Sequence, residues 1–425
     1  MRPITRPHVT IIDRPCGSGK TTQFIQSFDH DKRYLVVTPL LSEVQRIIDH
    51  SAIEFREPER SSTAANKTEG LEQLLTEGVN VVTTHALFED IAFLARRGLL
   101  DDYHIIVDEV LDVCRQVDGK SPRSFQRFYI EDGYATVDKD GRVKPTALWD
   151  AEYEVVKDTL SPTLYRLAKS GMLYVVEDTF FMWVLPEDLL RVGRSFTVYT
   201  YLADGSMLLA YLQKLGIPYV HDVDPEVDGR FREKARRLIT LEPIPSLAKF
   251  RFSYTGQSSH KKLEGGDNQV SRALSKLRER RLRGIPEGHV LITCAKVNWY
   301  KNGNDDIQQR KPGCYASGSR MFTSAKWIAN TTRGTNDHAH CSHMIYLYDQ
   351  HMNPYVKRWL GLGWDRSADD RYALTELIQW IYRSRVRKGE PVTIFIPSKR
   401  MRDLLCGWLD TTIDEAAWPG ALVKT

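Results

Sequence analysis

The stretch from Val9 to Thr22, VTIIDRPCGSGKTT, restricts what this chain can fold into more than any other. Val9-Thr10-Ile11-Ile12 is a short, β-branched apolar run of the kind that forms a buried strand. It stops at Asp13-Arg14-Pro15 and passes into Cys16-Gly17-Ser18-Gly19-Lys20-Thr21-Thr22, after which QFIQSF continues as a helix. A strand, a glycine loop and a helix start are what a nucleotide phosphate needs. Small residues let successive backbone N–H groups curl around the anion, and the helix N-terminus adds partial positive charge. In this reading Gly17, Ser18, Gly19, Lys20, Thr21 and Thr22 hold ATP. Lys20 reaches the β- and γ-phosphates, and the Thr21 hydroxyl holds Mg²⁺. Arg14 stands where the long form G-x-x-x-x-G-K-[ST] has its first glycine, so the shorter G-x-G-K-T form is present. A glycine turn that binds nothing is the bland alternative; strand, loop and helix in register weigh against it.

The 425 residues exceed one ordinary core, so two or three domains are expected. Apolar and charged fractions of 42% and 27% are those of a soluble globular protein. There is no apolar run of about eighteen residues to span a membrane. MRPITRPHVT has no apolar segment ahead of a small-residue cleavage site, so a cytoplasmic location is expected. Six scattered cysteines without a C-x-x-C pair fit a reducing compartment. A net charge of +4 is small for this length, so a polyanion would have to meet local patches.

Beyond the glycine loop, apolar runs and helical patterns alternate. Tyr34 to Pro39, Val79 to Val82 and His104 to Val107 read as strands, with helices over Leu40 to His50 and Leu87 to Arg97. Such alternation implies a parallel sheet whose ligands sit at the carboxyl ends of its strands. From about 115 to 192 the alternation breaks. Tyr134 to Val143 reads as a β-hairpin, Trp149 to Lys169 as a helix, and Met172 to Val176 with Phe180 to Leu185 as strands. This is an insertion. Asp138 and Asp140 suit a turn, since the later ligands of a calcium loop are missing. After Phe196 to Tyr201, the charged stretch Ile217 to Arg237 leads to a second α/β half. Its strands lie near Arg237 to Leu241, Gly288 to Cys294, Met344 to Tyr348 and Val392 to Ile396. The basic stretch Ser271 to Arg283 reads as a solvated helix as readily as a phosphate contact.

Asp108-Glu109 closes an apolar strand downstream of the glycine loop. Hydrolysing ATP takes a carboxylate near Mg²⁺ and a group that orients the attacking water. Adjacent acids at a strand end can divide these roles, Asp108 to the metal and Glu109 to the water. An isolated Asp-Glu pair means little; paired with G-S-G-K-T-T at a matching strand end, it carries weight.

Together these residues resemble a superfamily 2 helicase, of the DEAD/DEAH-like kind encoded by bacteriophages. Gly17 to Thr22 resembles motif I, Asp108-Glu109-Val110-Leu111 motif II, and Thr38-Pro39 motif Ia. Thr83-Thr84-His85 resembles a further nucleic-acid contact, and Tyr199 to Ser206 sits in the place of motif III without its S-A-T. Thr332-Arg333-Gly334-Thr335-Asn336 resembles motif V, and Gln379 to Arg387 (QWIYRSRVR) motif VI. The resemblance implies an α/β fold of two tandem RecA-like, P-loop NTPase domains with parallel sheets, plus the insertion in the first. The domains would cover 1–215, binding ATP, and 216–425. It implies ATP and Mg²⁺ between them and single-stranded or tailed duplex nucleic acid across them, DNA favoured over RNA, with the host cytoplasm as location.

For motif VI the resemblance implies catalytic roles for Gln379, Arg383 and a second arginine. The usual spacing is Q-x-x-G-R-x-x-R, but Tyr382 replaces the glycine and Val386 the last arginine. On a continuous helix Gln379, Arg383 and Arg387 share a face, which favours Arg387 over Arg385. The implied strand contacts are Thr38, Thr83, Thr84, Arg333 and Thr335. A phage packaging ATPase, or another P-loop NTPase without unwinding activity, is the alternative. His338, His340, Cys341 and His343 match no zinc pattern with separated ligand pairs.

Overall fold

The computed structural model describes residues 8–60, 64–117, 122–155, 162–178, 180–260, 268–300, 311–316, 325–332, 334–363 and 365–412. The chain forms two compact units. One comprises Met1–Asp13, Gly19–Val223 and Asn353–Asp365; the other comprises Arg14–Ser18, Asp224–Met352 and Arg366–Thr425.

In the first unit the described strands are β1 (Val9–Asp13), β2 (Arg33–Thr38), β3 (Val81–Thr84), β4 (Tyr103–Asp108), β5 (Cys114–Val117), β6 (Ala135–Val137), β7 (Val143–Pro145), β8 (Leu173–Val176), β9 (Phe180–Val184), β10 (Ser195–Thr200) and β11 (Tyr219–Val223). Six of them lie side by side, all parallel, in the order β11-β1-β10-β4-β2-β3. Their β-branched runs suit a sheet covered on both faces. On one face Val36, Ile106 and Tyr199 pack with Phe24 and Ile25 of the helix Lys20–Gln26 and with Val44 and Ile47 of the helix Leu41–His50. On the other, Phe196 meets Phe88 of the helix His85–Glu89, with ring centroids 6.3 Å apart. The parallel arrangement brings the strand ends Asp13, Thr38, Thr84, Asp108 and Thr200 to one edge of the sheet.

The long helix expected over Leu87 to Arg97 is two short ones, His85–Glu89 and Ala92–Arg96. Asp90 and Ile91 donate to carbonyls only three residues back, Leu87 and Phe88, which tightens and ends the first helix.

The insertion has its own aromatic core of Phe125, Trp149, Tyr165 and Phe181, under an antiparallel sheet of order β5-β9-β8. The expected hairpin is β6–β7. Asp138 Oδ1 accepts from the amides of Asp140 and Arg142, both at 3.0 Å, and Gly141 takes a φ of 85°. This aspartate therefore builds the turn. The helical stretch expected over Trp149 to Lys169 is seen as Ala147–Val155 and Pro162–Lys169; residues 156–161 lie outside the described residues. The segment Asn353–Asp365 also belongs to this unit. Its helix Pro354–Trp359 sets Trp359 against Tyr174 and Tyr211, at 5.7 and 5.8 Å, and Arg358 against both oxygens of Glu177.

The second unit's described strands are β12 (Ile239–Glu242), β13 (Val290–Thr293), β14 (Lys326–Trp327), β15 (His343–Tyr346) and β16 (Val392–Phe395), parallel in the order β12-β16-β15-β13-β14. The basic helix runs Gln269–Arg281 and buries Val270, Ala273, Leu274 and Leu277. Arg278 pairs with Glu287 at 2.7 Å and Arg281 with Glu242. Among the described residues no helix is long and apolar enough to cross a membrane.

In this unit His351 is clasped by Asp349 (3.5 Å) and Asp369 (3.0 Å), and Arg400 bonds Asp349 and Asp370. Hydrogen bonds to Asp349 and Asp369 push the imidazole up to about 9. A proton held more tightly in the folded state contributes stability below the ordinary value of 6.5 and loses it as pH rises through about 9. Melting scans should therefore show stability falling across that window, and His351→Gln should flatten that part of the slope. An unchanged slope would refute the clasp.

Candidate nucleotide-binding site

The loop between β1 and the helix Lys20–Gln26 is shaped by two glycines in the left-handed region, Gly17 at φ 75° and Gly19 at φ 85°. No atom lies within 4 Å of a Cβ built on Gly19, so backbone conformation, not crowding, demands glycine there. The Ser18 amide donates to Pro15 O at 3.2 Å, and the Gln23 amide to Gly19 O at 2.8 Å, which starts the helix. Gly17, Ser18 and Gly19 are exposed; Lys20 and Thr21 are half-buried at the helix start.

Thr21 meets Asp108. Its hydroxyl donates to Asp108 Oδ2 at 2.9 Å, joining the glycine loop's helix to the end of β4. The His85 ring lies against the same residue, with Nε2 2.9 Å from Asp108 O. Glu109 follows with a left-handed φ of 66°, its amide donating to Tyr199 O of β10 at 2.9 Å. Asp108 is only 6% exposed. Burial, then the neighbouring Glu109 charge, pushes its carboxyl up to about 6, while the Thr21 hydroxyl and Lys20 ammonium pull the other way.

This donor set fits Mg²⁺. A hydroxyl and a carboxylate oxygen in contact are hard oxygen ligands, and a dication offsets the buried negative charge. No group of three or more His, Cys, Asp or Glu suited to a metal occurs among the described residues. Mg²⁺ commonly takes one or two carboxylates and completes its shell with water and phosphate.

The threonines named as strand contacts have hydroxyls engaged or enclosed. Thr38 is fully buried and donates to Leu40 O at 3.1 Å. Thr83 is buried, and Thr84 caps the helix His85–Glu89 by accepting from the Leu87 amide. Arg333 lies outside the described residues.

In the second unit the helix carrying Gln379 is Arg366–Ile381, and Gln379 is buried in it. The helix stops before Arg383, so Gln379, Arg383 and Arg387 do not share a continuous helical face. Arg383 and Ser384 donate backbone bonds three residues back, and Arg385–Lys388 forms a separate 3₁₀ turn capped by Ser384. The structure brings Arg383 to Thr335: its Nη1 donates to Thr335 O at 3.4 Å. Arg385 donates through Nε to Pro391 O. Arg387 lies beside Gly17, which belongs to the same unit; a Cβ on Gly17 would sit 3.8 Å from Arg387 Cγ.

Asp13 was missed by the sequence reading. It closes β1 and accepts from the amides of Leu202 and Ala203. The available signal was an acid ending an apolar run just before the glycine loop.

A family model described as the YonV C-terminal Rossmann-like domain matches residues 234–409. The SPbeta prophage-derived uncharacterized protein YonV of Bacillus subtilis (strain 168) is 25% identical over 442 residues, 95% of this chain and 98% of that protein. Among solved structures, an XPD helicase matches with a TM-score of 0.52 at 13% identity over 95% of each chain. An XPD structure in the apo form matches with a TM-score of 0.50, also at 13%, over 95% of this chain and 96% of that one. The fold is that of tandem RecA-like domains. At such identity the likeness concerns the fold, and the chemistry rests on the residues above.

A raised carboxyl value means that folding disfavours the charged form, so the cost of Asp108 builds as pH rises from 3.8 and is present in full above about 6. Asp108→Asn keeps an acceptor for Thr21 and removes the buried charge. It should stabilise the metal-free protein at pH 7 by on the order of 1 kcal/mol, while abolishing any stabilisation by Mg²⁺ and nucleotide. Melting with and without both ligands checks it.

Proposed function

We propose that this protein is an ATP-dependent nucleic-acid helicase or translocase, acting on single-stranded or tailed duplex nucleic acid, with DNA favoured over RNA. The observation that carries the reading is the 2.9 Å bond between Thr21 and Asp108. It joins a glycine loop bearing Lys20 to an acidic pair at a strand end, as nucleoside-triphosphate hydrolysis requires. The tandem RecA-like fold is the scaffold on which that chemistry can drive movement.

The roles follow from charge and position. The loop amides of Gly17 to Thr22 and the Lys20 ammonium hold the triphosphate. Thr21 and Asp108 hold Mg²⁺, which when bound neutralises charge on the phosphate oxygens. Glu109 orients the attacking water, with its backbone held to Tyr199. Arg383 and Arg387 supply planar cations to charge developing on the γ-phosphoryl group. Gln379 acts beside them. Arg387 is preferred to Arg385 as second finger because it lies beside Gly17, whereas Arg385 is bound to Pro391. Thr38, Thr83, Thr84, Arg333 and Thr335 line the path of the strand. Since the first two hydroxyls are buried, backbone groups at those turns make the contacts, as suits binding without base preference. Nucleotide binding is assigned to 1–215 and the arginine motif to 216–425. Bacteriophage origin is supported by the prophage-derived relative.

Strand displacement on tailed DNA and RNA duplexes, run beside ATP turnover, tests the reading. The parent should hydrolyse ATP faster with single strands and displace a strand. Lys20→Ala and Glu109→Gln should each lose turnover by roughly 100-fold or more while still binding nucleic acid. Turnover equal to the parent's in either variant would overturn the site. Polymer-stimulated turnover without displacement would favour a translocase, and cleavage of duplex a packaging motor.

A further inference from the structure

Asp13 lies at the junction of three parallel strands. β1 pairs with β10, Asp13 opposite Thr200, and with β11, Asp13 opposite Val223. The carboxylate is 8% exposed and accepts from both neighbours. Oδ1 takes the Leu202 amide at 2.9 Å, and Oδ2 takes the Ala203 amide at 2.8 Å. His221 Nε2, on β11, lies 3.0 Å from Oδ2, and a carboxylate offers only acceptors, so that nitrogen carries the proton. On its far side His221 Nδ1 lies 3.6 Å from Asp204 Oδ1.

These contacts hold a loop that would not hold itself. Leu202 sits at φ 56°, ψ 50°, left-handed without being glycine, a conformation that persists only when its surroundings impose it. Three residues earlier in the chain, Tyr199 O accepts the amide of Glu109, which is itself left-handed at φ 66°. One short stretch, Tyr199 to Ala203, thus supports the backbone of Glu109 at one end and is pinned by Asp13 at the other. Asp13 in turn is the residue from which the glycine loop departs.

We propose that Asp13 is a positioning residue for ATP hydrolysis. It fixes the turn after β10, and through Tyr199 the backbone of Glu109, against the root of the loop that bears Lys20. The proposal rests on the reading of Lys20, Asp108 and Glu109 as a hydrolytic site. Asp13 touches none of the reacting atoms, so its loss should slow turnover without weakening nucleotide binding.

The test compares the full-length parent with Asp13→Asn, His221→Ala and His221→Gln. It measures ATP turnover, equilibrium binding of a fluorescent ATP analogue, and hydrogen exchange at the Leu202 and Ala203 amides. Asp13→Asn keeps the size of the side chain but presents an NH₂ where one amide and His221 need an acceptor. Exchange at the two amides should accelerate and kcat should fall by roughly 10- to 100-fold, with analogue affinity and KM for ATP within about threefold of the parent. His221→Ala, on an edge strand, should lower kcat several-fold at unchanged KM. His221→Gln, which returns a donor toward Asp13, should recover it. Parental kcat in a folded Asp13→Asn overturns the proposal, as does a fall in analogue binding that matches the fall in kcat. If Asp13→Asn does not fold, the His221 pair decides, and equal kcat in Ala and Gln variants overturns it. A parent that turns over no ATP overturns this proposal and the hydrolytic reading together; a parent that does, beside an equally fast Asp13→Asn, overturns this one alone.

Discussion

A negative charge buried at the end of a strand must be answered by its neighbours, and the first unit is arranged around the answer given to Asp108. The strand order puts β10 between β1 and β4, so the glycine loop and the acidic pair leave strands that do not touch. They meet because the helix Lys20–Gln26 starts over that gap and sets Thr21 on Asp108. The contact compensates only in part: a hydroxyl donor and a nearby ammonium leave the carboxyl at about 6, well above its ordinary range. A site kept short of positive charge in the resting protein is prepared for a ligand that brings some. In the function proposed above the Mg²⁺ that accompanies the nucleotide would bring it, and the stability given up at Asp108 is of the kind functional sites store.

The second unit treats its arginines differently. Arg383 is 4% exposed and donates to the carbonyl of Thr335, just beyond Gly334 at φ 74°. Burying a guanidinium is costly unless its donors find oxygens, so this contact fixes the chain at Thr335 as much as it fixes the arginine. Arg387 sits on a 3₁₀ turn opened by Ser384, whose oxygen caps the Val386 amide, and closed by Gly389 in the left-handed region. One arginine is held deep in its own unit and the other is carried on a short capped turn. They are not two copies of one feature on a single helix.

What could be read in the sequence follows from the range of each interaction. The glycine loop, the Asp-Glu pair and the alternation of strands with helices are local patterns; they appear at Val9–Asp13, Arg33–Thr38 and Tyr103–Asp108 close to where the apolar runs place them. The hairpin at Asp138 to Gly141 was equally legible, because its turn is built by one side chain, Asp138, that binds amides two and four residues on. Helix ends were not. Apolar spacing continues past Ile381, and nothing in QWIYRSRVR announces that Ser384 will cap a new turn. Nor could residue type reveal that Thr38 and Thr83 would be enclosed, or that Asp13 would bind amides 189 and 190 positions away. The return of Asn353–Asp365 to the first unit is of the same kind: its anchors, Tyr174, Glu177 and Tyr211, are unremarkable until the fold assembles them.

The insertion shows how one backbone feature serves two ends. A chain leaving a parallel strand for an inserted subdomain has to turn sharply, and it does so at Glu109, whose left-handed backbone sends Val110, Leu111 and Val113 into buried positions. The insertion's sheet is tied to this exit by the Leu185 amide on Val113 O, and to the helix beginning at His85 by Arg115. Arg115 binds Glu89 at 2.8 Å and lies 3.8 Å over the Trp183 ring. Glu89 is buried enough that its carboxyl rises to about 7 even beside that guanidinium, so desolvation of the acid outweighs the attraction of a half-exposed arginine. Both connections of the insertion therefore attach where the site is made, at Glu109 on the way out and, on the way back, through β10, whose Tyr199 holds Glu109. Glu109 is thus both the residue at which the chain turns out of the sheet and one whose amide is held by the strand to which the chain returns.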